Sequence, residues 1–214
     1  MIKKPRILFT IPNFITAGSG QVLFNIVERL DQRRFRLTVC VSKRGGRLDS
    51  EVERLGVNFL ELPFTVPPKP YSTLLLRTWK AAQAFRPYEF DLWHSFHYAS
   101  DYTEPIMARL AGAKRWIYTK KAMGWGSRAW LLRSYLASAI VADNTDMPYL
   151  FFDRIGLRDK VTVIPHSVPT TIFSSTPCPD TRLGRVSVFQ SKLSWWVAWP
   201  TSCRSRAILR FCMR

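Results

Sequence analysis

Apolar runs of strand length alternate with amphipathic segments of helix length along most of this chain. The runs are rich in Val, Ile, Leu and aromatic residues and have few polar interruptions, which is typical of strands covered on both faces. We predict strands at Ile7–Ile11, Arg36–Val41, Asn58–Leu62, Asp91–Ser95, Trp116–Thr119, Ala139–Ala142 and Val161–Ile164, and helices at Gln21–Leu30, Leu48–Leu55, Thr73–Phe85, Asp101–Leu110, Ala129–Ala137 and Asp146–Arg154. The alternation predicts an α/β domain with a Rossmann-like parallel sheet and helices on both faces.

The character of the sequence changes near Phe173, so we predict one domain over residues 1–173 and an irregular basic tail over residues 174–214. The tail has seven Lys and Arg, one acid, three of the four cysteines and three of the eight tryptophans, with no periodicity. This bias resembles translation in a shifted reading frame or an assembly artefact. We therefore expect the tail to contribute little to the folded core.

The formal net charge is +17, and residues 1–173 hold 25 Lys and Arg against 14 Asp and Glu, a balance of +11. So basic a surface attracts anions such as acidic lipid headgroups, nucleotide phosphates or, without specificity, nucleic acid. The sequence shows neither a signal-peptide pattern nor an apolar stretch of the ~18 residues that a membrane span requires. We expect a cytoplasmic protein that contacts the inner membrane face without crossing it. Cys40 lies in an apolar run and is interpreted as a buried thiol.

Gly18, Ser19 and Gly20 stand between the first predicted strand and the first predicted helix. A helix N-terminus offers unpaired N–H groups and a positive dipole end, which favour phosphate. The motif lacks the third glycine of the dinucleotide fingerprint, since Leu23 stands in that place, and it lacks the Lys-Ser/Thr of a P-loop. The alternative is a turn that needs glycine only for its backbone dihedral angles.

His94 and His97 come at the end of the fourth predicted strand. In open α/β sheets, ligands bind at the carboxyl ends of the strands, so a histidine there can donate to a sugar hydroxyl or a phosphate. The alternative for either residue is a structural histidine with a hydrogen bond at the strand end. Metal binding is not expected, because no third ligand stands at a suitable spacing.

Lys120, Lys121 and Trp125 follow the fifth predicted strand at the same edge of the sheet. Lysines bind phosphate as point charges, and an aromatic face stacks on a sugar ring, so this group favours an acceptor or an anion. The alternative is a solvated loop whose tryptophan packs on the core.

The segment Ser127–Leu136 places Trp130 and aliphatic residues near Arg128 and Arg133. Basic residues beside an apolar stripe are suited to an anionic membrane surface. The alternative is a helix whose apolar stripe faces the core and whose arginines face solvent.

Four stretches together resemble the N-terminal half of family 4 glycosyltransferases of GT-B architecture. They are Ile7–Pro12, the glycine segment, Phe90–His94 and Val161–Val168 followed by Phe173. The last resembles the family segment V-x-V-I-P-N-G-V-D…F, with His166 and Ser167 in place of Asn and Gly. The resemblance extends over roughly residues 5–173.

This resemblance implies two facing Rossmann-like domains, of which the N-terminal one mainly holds the acceptor. The C-terminal one binds a nucleotide-sugar, and the sugar is transferred with retention of its anomeric configuration to a glycan or a lipid-linked acceptor. Gly18, Ser19 and Gly20 would approach the donor diphosphate, and His97 or His94 would be the cleft histidine near the donor sugar. No cofactor is implied, because the nucleotide-sugar is a co-substrate.

The sequence departs from the family after residue 173. The family's second domain carries a basic pair for the diphosphate and two acids, whereas this chain has no Glu after Glu104. We therefore expect the 214-residue chain to be inactive alone, because the donor-binding domain is missing. The alternative function is a non-catalytic basic module that binds anionic ligands, a membrane surface or nucleic acid.

Overall fold

The computed structural model describes residues 4–15, 17–124 and 127–166. Seven strands form one sheet in the order β3-β2-β1-β4-β5-β6-β7, and every neighbouring pair is parallel. The strands are β1 Arg6–Ile11, β2 Arg36–Val41, β3 Asn58–Glu61, β4 Leu92–Ser95, β5 Arg115–Lys120, β6 Ala139–Ala142 and β7 Val161–Val163. The predicted Rossmann-like parallel sheet is confirmed, with strand ends within one residue of the predicted ones.

Five α-helices occur among the described residues, and they pack against both faces of the sheet. They are α1 Ala17–Arg29, α2 Asp49–Arg54, α3 Leu74–Ala82, α4 Thr103–Leu110 and α5 Arg128–Leu136. Leu23 and Val27 of α1 and Val52 of α2 belong to one buried cluster. Residues of α3, α4 and α5 belong to a second buried cluster, which contains Trp93 and Trp116. The sheet is therefore covered on both sides, as the apolar strands require.

The sixth predicted helix, Asp146–Arg154, is wrong. A five-residue turn of π-helix spans Pro148–Phe152, and a 3-10 turn spans Asp153–Ile155. The wide turn buries both Pro148 and Phe152, so packing against the core replaces a regular helix here. Further 3-10 turns lie at Tyr71–Thr73, Arg86–Tyr88 and Arg158–Lys160.

Two glycines after α-helices have left-handed backbone angles, with φ of 69° at Gly56 and 87° at Gly112. A third, Gly156, has φ of 64° and follows the 3-10 turn. These angles confirm the glycine caps expected from the sequence. They also fix where the chain turns back towards the next strand.

The predicted membrane-facing role of the Ser127–Leu136 segment is contradicted for two of its residues. Arg133 is fully buried in α5, and Trp130 is almost fully buried. Arg128 remains exposed. The Arg133 guanidinium can be buried because the carboxylate of Glu104 in α4 lies 3.1 Å from it.

Cys40 is buried in β2, as expected, and burial raises the pKa of its thiol to about 12. Among the described residues, no helix is both long enough and apolar enough to cross a membrane. The predicted tail over residues 174–214 and the boundary at Phe173 lie outside the described residues.

Candidate functional site

The first turn of α1 contains Gly18, Ser19 and Gly20, which are helical and do not form a separate turn before the helix. Neither glycine has a positive φ, so the interpretation that a turn needs them for their dihedral angles is not supported. A Cβ added at Gly20 would lie 3.0 Å from Cδ1 of Phe14, whereas a Cβ at Gly18 would meet nothing within 4 Å. Gly20 therefore packs closely on the Phe14 ring, which would have to shift to admit a larger residue, and Gly18 leaves the start of the helix open to approach.

The start of α1 lies at the carboxyl end of β1, where the strand order reverses between β1 and β4. Helix α1 has no acidic residue in its first turn that would compete for its free N–H groups. Open parallel sheets bind ligands at such a reversal. This edge of the sheet is therefore the candidate site.

His94 lies within β4, opposite Phe9 of β1, and its ring packs against Phe9 and Phe96. Its Nε2 lies 2.8 Å from Oγ1 of Thr119 on β5. Desolvation by the surrounding side chains, with a smaller contribution from the charge of Lys121, lowers its pKa to about 3. His94 is therefore a neutral imidazole that connects two strands.

His97 lies beyond the end of β4. Its backbone N–H donates to Oγ of Ser95 at 3.2 Å, and its ring packs edge-on against Phe64 at a centroid distance of 5.7 Å. Its pKa is lowered, mainly by desolvation. The Nδ1 atom is buried without a hydrogen-bond partner in the described part of the chain. His97 therefore has a free polar atom near the sheet edge, whereas the ring of His94 is engaged inside the sheet.

Lys120 ends β5 and is fully buried. Its Nζ donates to the carbonyl oxygens of Ala122 and Gly124, each at 2.9 Å, and lies 4.0 Å from the ring centroids of both Trp130 and Phe151. Burial lowers its pKa to about 8. Its described contacts hold the loop after β5 onto the core.

Lys121 packs on the other side of the sheet from Lys120. Its Nζ donates to the carbonyl oxygen of Phe96 at 2.7 Å and lies 4.8 Å from the Phe96 ring centroid. Desolvation lowers its pKa to about 8, although the nearby Asp143 carboxylate acts in the opposite direction. Lys121 thus connects the loop after β5 with the loop that carries His97. Trp125, the third member of the predicted group, lies outside the described residues.

A buried ion pair between Glu104 of α4 and Arg133 of α5 supports the loop after β4. Oε2 of Glu104 lies 3.1 Å from Nη2 of Arg133, and both side chains are fully buried. Ser95 at the end of β4 donates to the same Oε2 at 2.6 Å and accepts from Nη2 of Arg133 at 2.7 Å. Arg133 also donates to the carbonyl oxygens of Asp101 at 2.7 Å and His97 at 3.4 Å.

Two further donors complete the surroundings of Glu104. Trp93 Nε1 donates to its Oε1 at 3.1 Å, and the Thr10 hydroxyl donates to the same atom. The sequence alone did not identify Glu104 and Arg133 as an ion pair. The available signal was Glu104 on a helix face that otherwise carries the buried Met107 and Ala108.

A mainly apolar cavity of about 400 Å³ lies beside α1 on the sheet face that carries His94. His166 is one of its lining residues, and its Nε2 lies 3.0 Å from Oδ1 of Asp143. The residues lining the cavity are Val22, Asn25, Ile26, Arg29, Leu30, His94, Phe96, Thr119, Val141, Ile164, Pro165 and His166. His94 thus faces this cavity, whereas His97 contacts Phe64 on the opposite side of the sheet.

Comparison with known proteins relates the chain to one family. Residues 16–172 match the profile of Glycosyltransferase Family 4. No sequence among the curated proteins matches the chain.

Solved structures with the same fold include a glycosyltransferase from Rickettsia africae ESF-5, with 16% identity, a TM-score of 0.58 and coverage of 80% of this chain and 45% of that chain. Anabaena Alr3699/HepE, crystallised with UDP and glucose, has 16% identity, a TM-score of 0.58 and coverage of 80% and 47%. Acinetobacter baumannii MurG has 13% identity, a TM-score of 0.55 and coverage of 77% and 46%. The chain thus spans less than half the length of these structures, and at such identities the likeness establishes the fold.

Proposed function

The chain belongs to glycosyltransferase family 4, and we propose that its described domain forms one wall of a cleft for sugar transfer. The donor is a nucleotide-sugar, and the acceptor is a glycan or a lipid-linked molecule. The resemblance of the sequence to retaining enzymes extends the proposal to retention of the anomeric configuration. The Anabaena protein of the same fold, which was crystallised with UDP and glucose, supports a nucleotide-sugar donor.

The open first turn of α1 is the observation that carries this proposal. Gly18 leaves space above the helix start, and no acid in that turn repels an anion. A diphosphate there receives hydrogen bonds from backbone N–H groups and the favourable end of the helix dipole. Neutralising the leaving diphosphate is the main electrostatic requirement of sugar transfer.

His97 is our choice over His94 for the cleft histidine. It lies beyond β4, and its Nδ1 has no hydrogen-bond partner in the described ranges. Its lowered pKa keeps the imidazole neutral near pH 7, so it acts as a hydrogen-bonding group towards a sugar hydroxyl and not as a cation. The ring of His94, by contrast, already bonds Thr119 within the sheet.

The loop after β5 is proposed as part of the acceptor side, with Lys121 and Trp125 as contact residues. The Lys121 ammonium lies beside the loop that carries His97, because it bonds the Phe96 carbonyl. Lys120 supports the same loop from the core through Ala122 and Gly124. We therefore assign Lys120 to positioning this loop rather than to direct contact with an anion.

The test is a titration of the isotope-labelled 214-residue chain with UDP, GDP and ADP, followed by NMR at the backbone amides. We expect saturable shifts at Gly18, Ser19 and Gly20. Gly18→Val should weaken the binding about tenfold or more, because its branched side chain fills the approach to the helix N–H groups. Glu28→Val, at the exposed far end of α1, is the matched control for the helix propensity of valine and should leave the affinity unchanged.

Two results would count against the proposal. One is the absence of nucleotide-dependent shifts in the first turn of α1, and the other is equal affinity for Gly18→Val and the unsubstituted chain. Binding of nucleic acid that falls steeply with salt, without any response to the nucleotides, would favour the non-catalytic basic module instead.

A further inference from the structure

Helix α3 buries one face against the core and exposes large apolar side chains on the side next to it. Leu74, Thr78 and Ala82, spaced four residues apart, are buried against the core. On the neighbouring, solvent-facing side, Leu75 is 67% exposed, Leu76 53% and Trp79 46%. Residues at these spacings lie together on one side of a helix, so they form a continuous stripe that faces solvent.

Tyr71, in the 3-10 turn just before α3, extends this stripe and is 66% exposed. We call the group formed by Tyr71, Leu75, Leu76 and Trp79 the α3 surface. Single exposed apolar residues are ordinary, but four large ones next to each other mark an interaction site.

The charged residues in the sequence around the α3 surface are all basic. Between Glu61 and Glu89 the sequence contains no Asp or Glu and four basic residues, Lys69, Arg77, Lys80 and Arg86. Lys69, Lys80 and Arg86 are exposed. The Arg77 guanidinium donates to the carbonyl oxygens of Pro67 and Pro70, each at 2.9 Å, and so holds the segment before the helix in place.

We propose that the α3 surface docks on an anionic lipid bilayer. An apolar stripe containing a tryptophan, with lysines beside it and no acid in its own sequence segment, is typical of helices that lie in a membrane interface. Anionic headgroups attract the basic residues, and the acyl-chain boundary receives Leu75, Leu76 and Trp79. Protein–protein interfaces are depleted in lysine, which favours a lipid partner over a protein one.

The α3 surface is joined to the candidate site by the segment that precedes it. Phe64 packs against the His97 ring, and the Val66 N–H donates to Oγ1 of Thr103 at 3.0 Å. A bilayer on the α3 surface would therefore lie at the end of the segment that contacts His97. The docking proposal stands independently of the proposed sugar transfer and of the α5 segment considered from the sequence.

The test is co-sedimentation of the 214-residue chain with vesicles of phosphatidylcholine alone and with vesicles that also contain phosphatidylglycerol. We expect binding to the anionic vesicles at low salt, weaker binding at high salt, and little binding to the neutral ones. The double variant Leu75→Gln/Trp79→Gln keeps every charge, including those of residues 174–214. It should lower the partition coefficient about tenfold or more, because the apolar stripe is removed.

A matched control is Leu132→Gln/Leu150→Gln, which replaces two exposed leucines outside the α3 surface. Its partition coefficient should stay within about twofold of the unsubstituted chain. Lys69→Gln and Lys80→Gln should each weaken anionic binding about fivefold at low salt. Circular dichroism of each variant confirms that the fold is kept.

The proposal is overturned if the chain binds neither vesicle, or binds both equally well. It is also overturned if the two double variants bind alike, since the attraction would then come from charge elsewhere in the chain. Self-association that disappears in Leu75→Gln/Trp79→Gln, without vesicle binding, would assign the α3 surface to a second copy of the chain and reject the lipid.

Discussion

His94 occupies a strand position where a charged imidazole would have little water around it. Phe9 and Phe96 pack against its ring, and the Thr119 hydroxyl forms a hydrogen bond with its Nε2. Burial therefore lowers its pKa from the usual 6.5 to about 3. His97, by contrast, lies beyond the strand. Its pKa is also lowered, and its Nδ1 has no hydrogen-bond partner in the described part of the chain.

The titration of His94 makes the domain sensitive to acid. As the pH falls from 6.5 towards 3, the unfolded chain takes up a proton that the folded chain does not. The free energy of unfolding should therefore fall by up to about 1.4 kcal/mol per pH unit for this residue. Urea unfolding measured between pH 6.5 and 5 gives the slope of the free energy of unfolding against pH. The variant His94→Gln should have a smaller slope than the unsubstituted chain.

Leu132→Gln, an exposed substitution of a residue that does not titrate, is the matched control and should leave the slope in place. The three histidines of the chain can also be followed directly by NMR. A His94 ring signal that titrates near its usual pKa of 6.5 would contradict the prediction.

At the scale of elements, Glu104 and Arg133 connect α4 and α5 with the end of β4. Ser95 shares both partners, and Arg133 also bonds the carbonyl oxygens of Asp101 and His97. The pair therefore holds the loop that carries His97. A buried pair gains little over apolar packing, but removing one partner leaves an uncompensated charge inside the protein.

Removing either partner of this pair should destabilise the domain strongly. We expect Glu104→Gln or Arg133→Met to lower the free energy of unfolding by about 3–5 kcal/mol in chemical denaturation. The double variant should lose less than the sum of the two, because it leaves no unpaired buried charge. Lys114→Gln, which breaks an exposed contact to Asp91, should cost about 1 kcal/mol or less.

Small and additive losses for the two single variants would contradict this account. They would mean that water or neighbouring side chains compensate the remaining charge. In that case the Glu104–Arg133 pair would not be what holds His97 in position.

At the scale of the whole molecule, the chain aligns with 45–47% of the length of three solved structures of the same fold. The described residues provide an open helix start, a neutral histidine and the Lys121 ammonium at one sheet edge. Transfer of a sugar also requires that the charge of the leaving diphosphate be neutralised in a site closed to water. The cleft wall that we propose for the described domain does not by itself close such a site to water.

We therefore predict that the purified 214-residue chain does not turn over a nucleotide-sugar at a steady rate. Release of UDP, GDP or ADP from their common sugar conjugates should stay at the rate of the no-enzyme control, measured by a coupled assay with glycan and lipid-linked acceptors. Steady nucleotide release dependent on an acceptor would contradict this prediction. It would place all the groups needed for transfer within these 214 residues.

The sequence by itself determined the seven strands, the parallel sheet and the edge at which the candidate residues gather. These features depend on local periodicity, because an apolar run of strand length predicts a buried strand whatever its neighbours are. It also placed glycine caps at Gly56 and Gly112, since the left-handed conformation favours glycine. The function of the edge residues remained open between binding and structural roles.

Only the tertiary structure decided which face each side chain occupies. The two histidines contact different sides of the sheet, and so do the two lysines after β5. Arg133 is buried beside a carboxylate from another helix. It also left the apolar stripe of α3 facing solvent, where periodicity alone would place such residues in the core. The reason is physical, because burial and ion pairing depend on which elements meet across the sheet, and those contacts join residues far apart in the sequence.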